Sequence, residues 1–328
     1  MPAEGCHHCG MSDERLDGHT GLYLSRDTAA TDSDARQFRR EALDGRGRRM
    51  RRGVFTTAEH WASLTPRQRH LAEIRAVVET RLQDAVVSHQ SAAAIWGIPL
   101  ADDWPATVHL LVPPLSSARS KNGVTAHRTE LDEEDVVEFD GMLMTSPART
   151  LLDLARTTRF ANAVVAIDYA LNPRTADPQV FVTVDVLEEQ LQRSPSRRGQ
   201  VKALRAIGFA RPDADNPGET LSRVAIRELG FPDPLLQTRH RNPRGGYYYT
   251  DFEWPAFRII GEFDGHGKYL KADLLRGLTP GQAVVEEKIR EDHLRAEGNT
   301  VARWGPSEVR QRQPLFRILT TAGLPVVR

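Results

Sequence analysis

The sequence is short of several things, and each shortage narrows the reading. Its two cysteines, Cys6 and Cys9, cannot build a disulfide framework across 328 residues, so a protein of a reducing compartment is expected. No stretch approaches 18 consecutive apolar residues, which leaves no candidate for a membrane-spanning helix. The first residues lack the basic-then-apolar order of a secretory leader, and a cytoplasmic location is expected. No internal repeat of solenoid period is present. Net charge is missing too, since 44 Lys and Arg balance 44 Asp and Glu. What is there is ordinary for a globular chain: 40% hydrophobic and 27% charged residues, which excludes a collagen-like or wholly disordered protein. The length predicts two or three domains.

The charge balance hides a segregation. Residues 36–52 carry Arg36, Arg39, Arg40, Arg46, Arg48, Arg49, Arg51 and Arg52 against Glu41 and Asp44. A concentrated basic patch on a balanced protein is the footprint of a polyanion-binding surface, against the plainer reading of a solvated arginine-rich loop. The acidic stretch Glu130, Asp132, Glu133, Glu134, Asp135, Glu138 and Asp140 could face that patch or mimic a polyanion, but reads first as a solvated loop between strands.

Patterning divides the chain into five parts. Residues 1–21 are a polar tail without helix or strand period. Residues 22–56 form a small unit: a helix capped near Thr31–Ser33 and running to Leu43, then, past Gly45 and Gly47, a strand over Arg48–Phe55. Residues 57–158 are mixed α and β, with helices at Gln68–Leu82, Ser88–Trp96 and Ala148–Arg156 and strands at Val108–Val112, Val124–Arg128 and Met142–Thr145. Residues 159–215 are a helical connector, with Arg211–Pro217 as a linker. Residues 216–328 run helix, three strands, helix, strand: Pro217–Leu229, Leu235–His240, Tyr247–Trp254, Phe257–Asp264, Val284–Glu297 and Asn299–Trp304. The expected fold class is therefore α+β or α/β and multidomain: a small winged helix-turn-helix, a mixed middle region and a C-terminal α-β-β-β-α-β core.

In the basic unit, Arg36, Arg39 and Arg40 share one helix face by their spacing, while Arg48, Arg49, Arg51 and Arg52 flank Met50 on a wing. Arginine suits phosphate and guanine contacts because its fork is planar and bidentate. The stretch Leu22–Phe55, ending in RRMRRGVF, resembles the winged-helix domain of AbiEi-type antitoxins of type IV toxin–antitoxin systems. VSHQSAAAIWGIPL (Val87–Leu100), VHLLVPP (Val108–Pro114) and TSPARTLLDLAR (Thr145–Arg156) resemble the middle region of actinobacterial members. That resemblance implies DNA and a cognate toxin protein as partners. His89 precedes a helix face with Ser91 and Trp96 and reads as a packing or capping residue.

The C-terminal segment Tyr247–Gly265 is a hairpin expected to turn at Pro255-Ala256, which sets Asp251 opposite Ile260. Asp251, Glu262 and Asp264 then share one face, and Phe252, Trp254, Phe257, Ile259 and Phe263 form the apolar one. Converging carboxylates can hold a hard cation, Mg²⁺ or Mn²⁺, that activates water at a phosphodiester. The preceding helix adds Glu219 and the following helix adds Lys288, whose charge could neutralise the developing anion. The alternative is the solvent-facing side of an amphipathic sheet.

The arrangement resembles the restriction-endonuclease-like PD-(D/E)XK fold, closest to its Vsr-like branch. The resemblance rests on Glu219 in NPGETLSR, Asp251 in TDFEW, Glu262 and Asp264 in IIGEFDG, and EEKIREDHLRAEGNTVARW (Glu286–Trp304). It implies metal ligands at Asp251 and Glu262 and catalytic roles for Glu219, Asp264 and Lys288. The superfamily lysine two residues after the acidic position is Asp264 here, so Lys288 or Lys268 would have to substitute.

Cys6-His7-His8-Cys9 has the spacing of half a zinc site. Its other half is missing unless His19 serves, and zinc is not expected there. His266 and Lys268 follow Gly265 at the mouth of the acidic site, where they could touch a phosphate or simply belong to a glycine loop. Three functions stand open. One is a DNA-binding protein with a metal-dependent endonuclease unit. Another is a non-enzymatic antitoxin or autorepressor whose nuclease-like unit is a scaffold. The third is a protein-interaction module that neutralises a toxin with the acidic middle stretch as its contact surface. Neither a membrane nor a small-molecule cofactor is indicated.

Overall fold

The computed structural model describes residues 21–24, 40, 44–45, 47–80, 85–116, 119–265 and 279–327. The chain is an α+β protein of two units. The first comprises residues up to Ala166 together with Asp177–Phe209, and the second comprises Ile167–Ala176 together with residues from Ala210 onward. The division falls inside the helix Phe160–Leu171. Among the described residues, no helix is long and apolar enough to cross a membrane.

The first unit opens with a three-stranded antiparallel sheet, in order β1 (Tyr23–Leu24), β3 (Val54–Thr57), β2 (Gly47–Arg51). The single strand expected over Arg48–Phe55 is a hairpin. Gly53 takes the left-handed conformation at φ 80 that a tight turn after Arg52 requires, and Val54 and Phe55 then run back into the core. The register slips between Arg49 and Arg51, leaving Met50 as an extra residue in a bulge. Thr57 caps α1 (Ala58–Ser63), and α2 (Pro66–Thr80) follows.

A five-stranded mixed sheet fills the rest of this unit, in order β6 (Val124–Arg128), β5 (Val108–Val112), β4 (Val86–Val87), β8 (Met142–Thr145), β7 (Val136–Phe139). α3 (His89–Trp96) ends at Gly97, whose left-handed backbone donates back to Ala94. α4 (Pro147–Thr157) starts at Ser146, whose hydroxyl accepts from the Arg149 amide. α5 is the Phe160–Leu171 helix, followed by α6 (Val184–Arg193) and α7 (Gln200–Phe209).

The TSPARTLLDLAR segment is a structural staple. Arg149, buried on α4, bonds Asp135 at 2.5 Å and Asp153 at 3.1 Å. Asp135 also accepts from Gln190 and Arg193 on α6. The acidic stretch expected as a loop is thus anchored. Glu133–Asp135 forms a 3₁₀ turn, Val136–Phe139 is β7, and Asp140 pairs with Arg75.

The second unit has the expected order: α8 (Pro217–Glu228), β9 (Leu235–Arg241), β10 (Tyr247–Trp254), β11 (Ile259–Phe263), α9 (Pro280–Ala296), β12 (Thr300–Trp304). Two further helices, α10 (Pro306–Gln311) and α11 (Gln313–Thr321), complete it. The sheet order is β12-β11-β10-β9, with β11 and β12 parallel across the α9 crossover. One face packs Phe252, Trp254, Ile259, Phe263 and Trp304 against Ile226, Leu315 and Leu319. Gly261 lies on that face opposite Phe252, and a Cβ there would meet the Trp304 ring at 2.3 Å, so the position takes glycine. The unit also draws on the segment expected as a connector. Asp168 at the end of α5 is buried and accepts from Arg211, Thr220 and Arg223.

Candidate functional site

The hairpin register differs from the expected one by two residues: Glu253, not Asp251, lies opposite Ile260, and Phe252 opposite Gly261. The cause is the connection. Pro255–Phe257 is a 3₁₀ turn closed by Arg258 at φ 53, a longer link than a turn at Pro255-Ala256. An even shift keeps every side chain on its face, so Asp251 and Glu262 still share one.

That face is covered. Ile260 packs with Leu294 of α9 and with Val301, and Asp251 and Glu262 are only 9% and 2% exposed; Glu219, on α8, is buried as well at 3%. These carboxylates are therefore not the wet side of an amphipathic sheet. Glu219 occupies the first turn of α8, where its carboxylate accepts from the Asp215 amide, Asn216 and Gln237. Burial first, and then the negative charge of Asp251, push its carboxyl up to about 8. Asp251 Oδ2 accepts from the Phe263 amide at 2.8 Å. Glu262 Oε1 accepts from Arg290 Nη2 at 2.8 Å, and the same guanidinium donates to the Tyr249 carbonyl.

Arginine also answers Asp264. On β12, Arg303 stands beside Glu262 in register. Its Nη1 lies 3.2 Å from Asp264 Oδ1 and bonds Glu287, and its Nε bonds Glu291. Lys288 is exposed, two residues from Arg290 on the same helix. At 3.6 residues per turn that places it roughly 200° around the axis, turned from the carboxylates. The structure thus brings Arg290, rather than Lys288, to Glu262. Glu253 joins the acidic face through His240, whose other nitrogen meets Glu297. Lys268 and His266 lie outside the described residues.

At the basic hairpin, Arg48, Arg49 and Arg52 are exposed, as is Arg40. Arg51 differs: its Nε donates to Thr80 Oγ1 at 3.0 Å and its Nη1 to the Asn122 carbonyl at 2.7 Å. Arg48 lies 4.4 Å over the Trp61 ring. A cavity of about 200 Å³ beside the hairpin is lined by Arg48, Arg49, Arg51, Glu73 and Asn122. Arg36 and Arg39, the other positions of the expected reader helix, lie outside the described residues, as do Cys6 and Cys9.

Among the described residues, the group whose metal-ligating atoms gather within 4.8 Å of one another is His89, His109 and His127. From sequence His89 reads as a packing or capping residue, His109 stands in VHLLVPP with no role assigned to it, and His127 belongs to no motif singled out. The signal is their spacing. β5 and β6 run parallel with His109 beside Thr125 and Leu111 beside His127, so both histidines lie on one face.

No family model matches the chain. Two uncharacterized proteins of Mycobacterium tuberculosis, MT2308 of strain CDC 1551 and Rv2248 of strain H37Rv, are each 28% identical to it over 181 residues, 55% of this chain and 62% of theirs. The chain thus matches less than two thirds of the length of these curated relatives. The crystal structure of the RV2827C protein from Mycobacterium tuberculosis is 13% identical and covers 61% of this chain and 74% of that one. Its TM-score of 0.37 carries no structural argument.

Proposed function

We propose that the protein binds DNA through the β2–β3 hairpin and that its second unit is a divalent-metal phosphodiesterase core of the restriction-endonuclease type. The observation that carries this reading is the burial of Asp251 and Glu262 on one covered face of the sheet, with Glu219 of α8 buried close enough for the charge of Asp251 to act on it. Buried carboxylates are costly unless a cation meets them. The donor set is hard oxygen, and a cation would relieve both the burial and the neighbouring Asp251 charge that raise Glu219. Mg²⁺ binds through one or two carboxylates and keeps several waters, and Asp251 and Glu262 supply such a pair. Bound there, Mg²⁺ or Mn²⁺ would activate water and neutralise charge on a phosphodiester.

The chain's own residues do the rest. Glu219, pushed up first by burial, serves as an acid–base group. Arg290 fixes the Glu262 carboxylate, and Arg303 supplies positive charge beside Asp264, where the superfamily has lysine. On the hairpin, Arg49 and Arg52 take phosphates, and the anchored Arg51 sets the hairpin's position. The resemblance of this unit to AbiEi-type winged-helix domains fits that role.

One observation favours a non-enzymatic antitoxin or autorepressor instead: Arg290 already meets Glu262 with a protein cation. Supercoiled plasmid incubated with Mn²⁺ or Mg²⁺ separates the two. Nicked circles formed by the parent and not by Glu262→Gln are expected. DNA retarded but uncut with either metal would establish the second reading.

A further inference from the structure

We propose that His89, His109 and His127 form a binding site for one divalent transition metal of the zinc class, distinct from the carboxylates of the other unit. The three come from separate elements, the start of α3 and the parallel strands β5 and β6. Each offers a ring nitrogen, and these nitrogens lie within 4.8 Å of one another. Tetrahedral zinc, with Zn–N of roughly 2.0–2.1 Å, holds its nitrogens about 3.3 Å apart. His109 Nδ1 already stands 3.0 Å from His127 Nε2. The rings of His89 and His127 stack with centroids 3.8 Å apart and planes inclined by 14°. Closing on an ion therefore asks for a tilt of one ring, a side-chain adjustment within a site the backbone has already assembled.

The surroundings of His89 are those of a ligand. Its backbone is left-handed at φ 50, a strained conformation for a non-glycine residue that tends to mark functional positions. Its Nδ1 lies 3.0 Å from Ser88 Oγ and 3.9 Å from Asp153 Oδ2, a buried oxygen that makes no hydrogen bond. Metal-bound imidazoles characteristically give their second N–H to a carboxylate or another acceptor. Ser88 and Asp153 fill that place on the Nδ1 side and leave Nε2 for the metal. Arg149 holds Asp153 through its other oxygen.

The protonation state agrees. Burial lowers all three imidazoles below the usual histidine range, His109 to about 4, so the rings are neutral at pH 7 and metal binding need expel no imidazolium proton. Imidazole suits Zn²⁺, Co²⁺ and Ni²⁺, whereas carboxylates suit Mg²⁺ and Mn²⁺, so the two sites differ in metal class. Three histidines leave a fourth position, and the half-buried His109 and His127 leave it open to water or an exogenous anion.

The test uses the full chain carrying Cys6→Ser and Cys9→Ser, so that tail thiolates do not compete. After chelator treatment it is titrated with Co²⁺. One equivalent should produce tetrahedral-type visible absorption, which Zn²⁺ then displaces. His127→Ala removes a half-buried ring and should weaken Co²⁺ binding at least tenfold with an unchanged circular-dichroism spectrum. If His127→Ala lacks a cooperative melt, His109→Gln takes its place in the same comparison. Asp153→Asn should weaken binding about tenfold through the orientation of His89, and Asp251→Asn with Glu262→Gln should leave it unchanged. Absent absorption at one equivalent, or equal affinity in the folded histidine variant, overturns the proposal.

Discussion

Arg290 Nη2 reaches 2.8 Å from Glu262 Oε1, so one guanidinium on α9 meets the most deeply buried carboxylate of the sheet beneath it. Breaking a fully buried pair by removing one partner costs about 3–5 kcal/mol. Arg290 is itself 23% exposed, and Arg290→Ala should lower stability by about 2–3 kcal/mol. Adding Glu262→Gln should return part of that loss. Urea unfolding of the parent, the single and the double variant measures both steps.

Glu219 gives the second unit a pH dependence of definite sign. Its carboxyl stands at about 8 against the ordinary 4.5, so the folded state holds a proton that the unfolded state releases first. The stability it contributes is complete below pH 4.5 and is lost as pH rises to about 8. Glu219→Gln should flatten the decline between those values. Unfolding at several pH values, parent against variant, checks this, and parallel curves would contradict it.

The order of elements in the second unit was legible because each one carries its own period and its own stop signal. Tyr247–Trp254 has the ends its sequence implies. The faces of the hairpin were legible for a further reason: strand parity survives a register error of two. What covers a face was not legible. That α9 lies on the carboxylates, and that Arg290 rather than Lys288 points at them, depends on the rotation of a helix set by its packing through Leu294. The histidine cluster was hidden similarly, since His89, His109 and His127 meet only once β5 and β6 pair in parallel. Local charge counting also misplaces Asp135, which looks solvated in sequence and is buried against Arg149.

Arg149 should be the most sensitive position of the first unit. It is buried and bonds two carboxylates, and Arg149→Met leaves Asp135 and Asp153 without it. A loss of about 3–5 kcal/mol is expected. Differential scanning calorimetry reads it, and a change below about 1 kcal/mol (the worth of an exposed pair) would contradict it.

The arginines of the hairpin should separate into two kinds. Arg49→Ala with Arg52→Ala removes exposed cations and should flatten log affinity against log salt by about 0.9 for each phosphate no longer engaged, roughly 2 in all. Arg51→Ala releases the Thr80 and Asn122 anchors and should weaken DNA binding while also lowering the melting temperature. Fluorescence anisotropy across a salt series, with parallel melts, tells them apart. Unchanged affinity at every salt concentration for the double variant would remove the hairpin from the DNA interface.

The most direct test of the carboxylate site is the melting temperature of the full chain with and without millimolar Mg²⁺ or Mn²⁺. An ion that binds only the folded state raises the melting temperature by mass action. The account predicts a rise in the parent that Asp251→Asn with Glu262→Gln largely removes. A parent that melts at the same temperature with and without either metal would contradict it and leave the acidic pocket as a scaffold closed by Arg290.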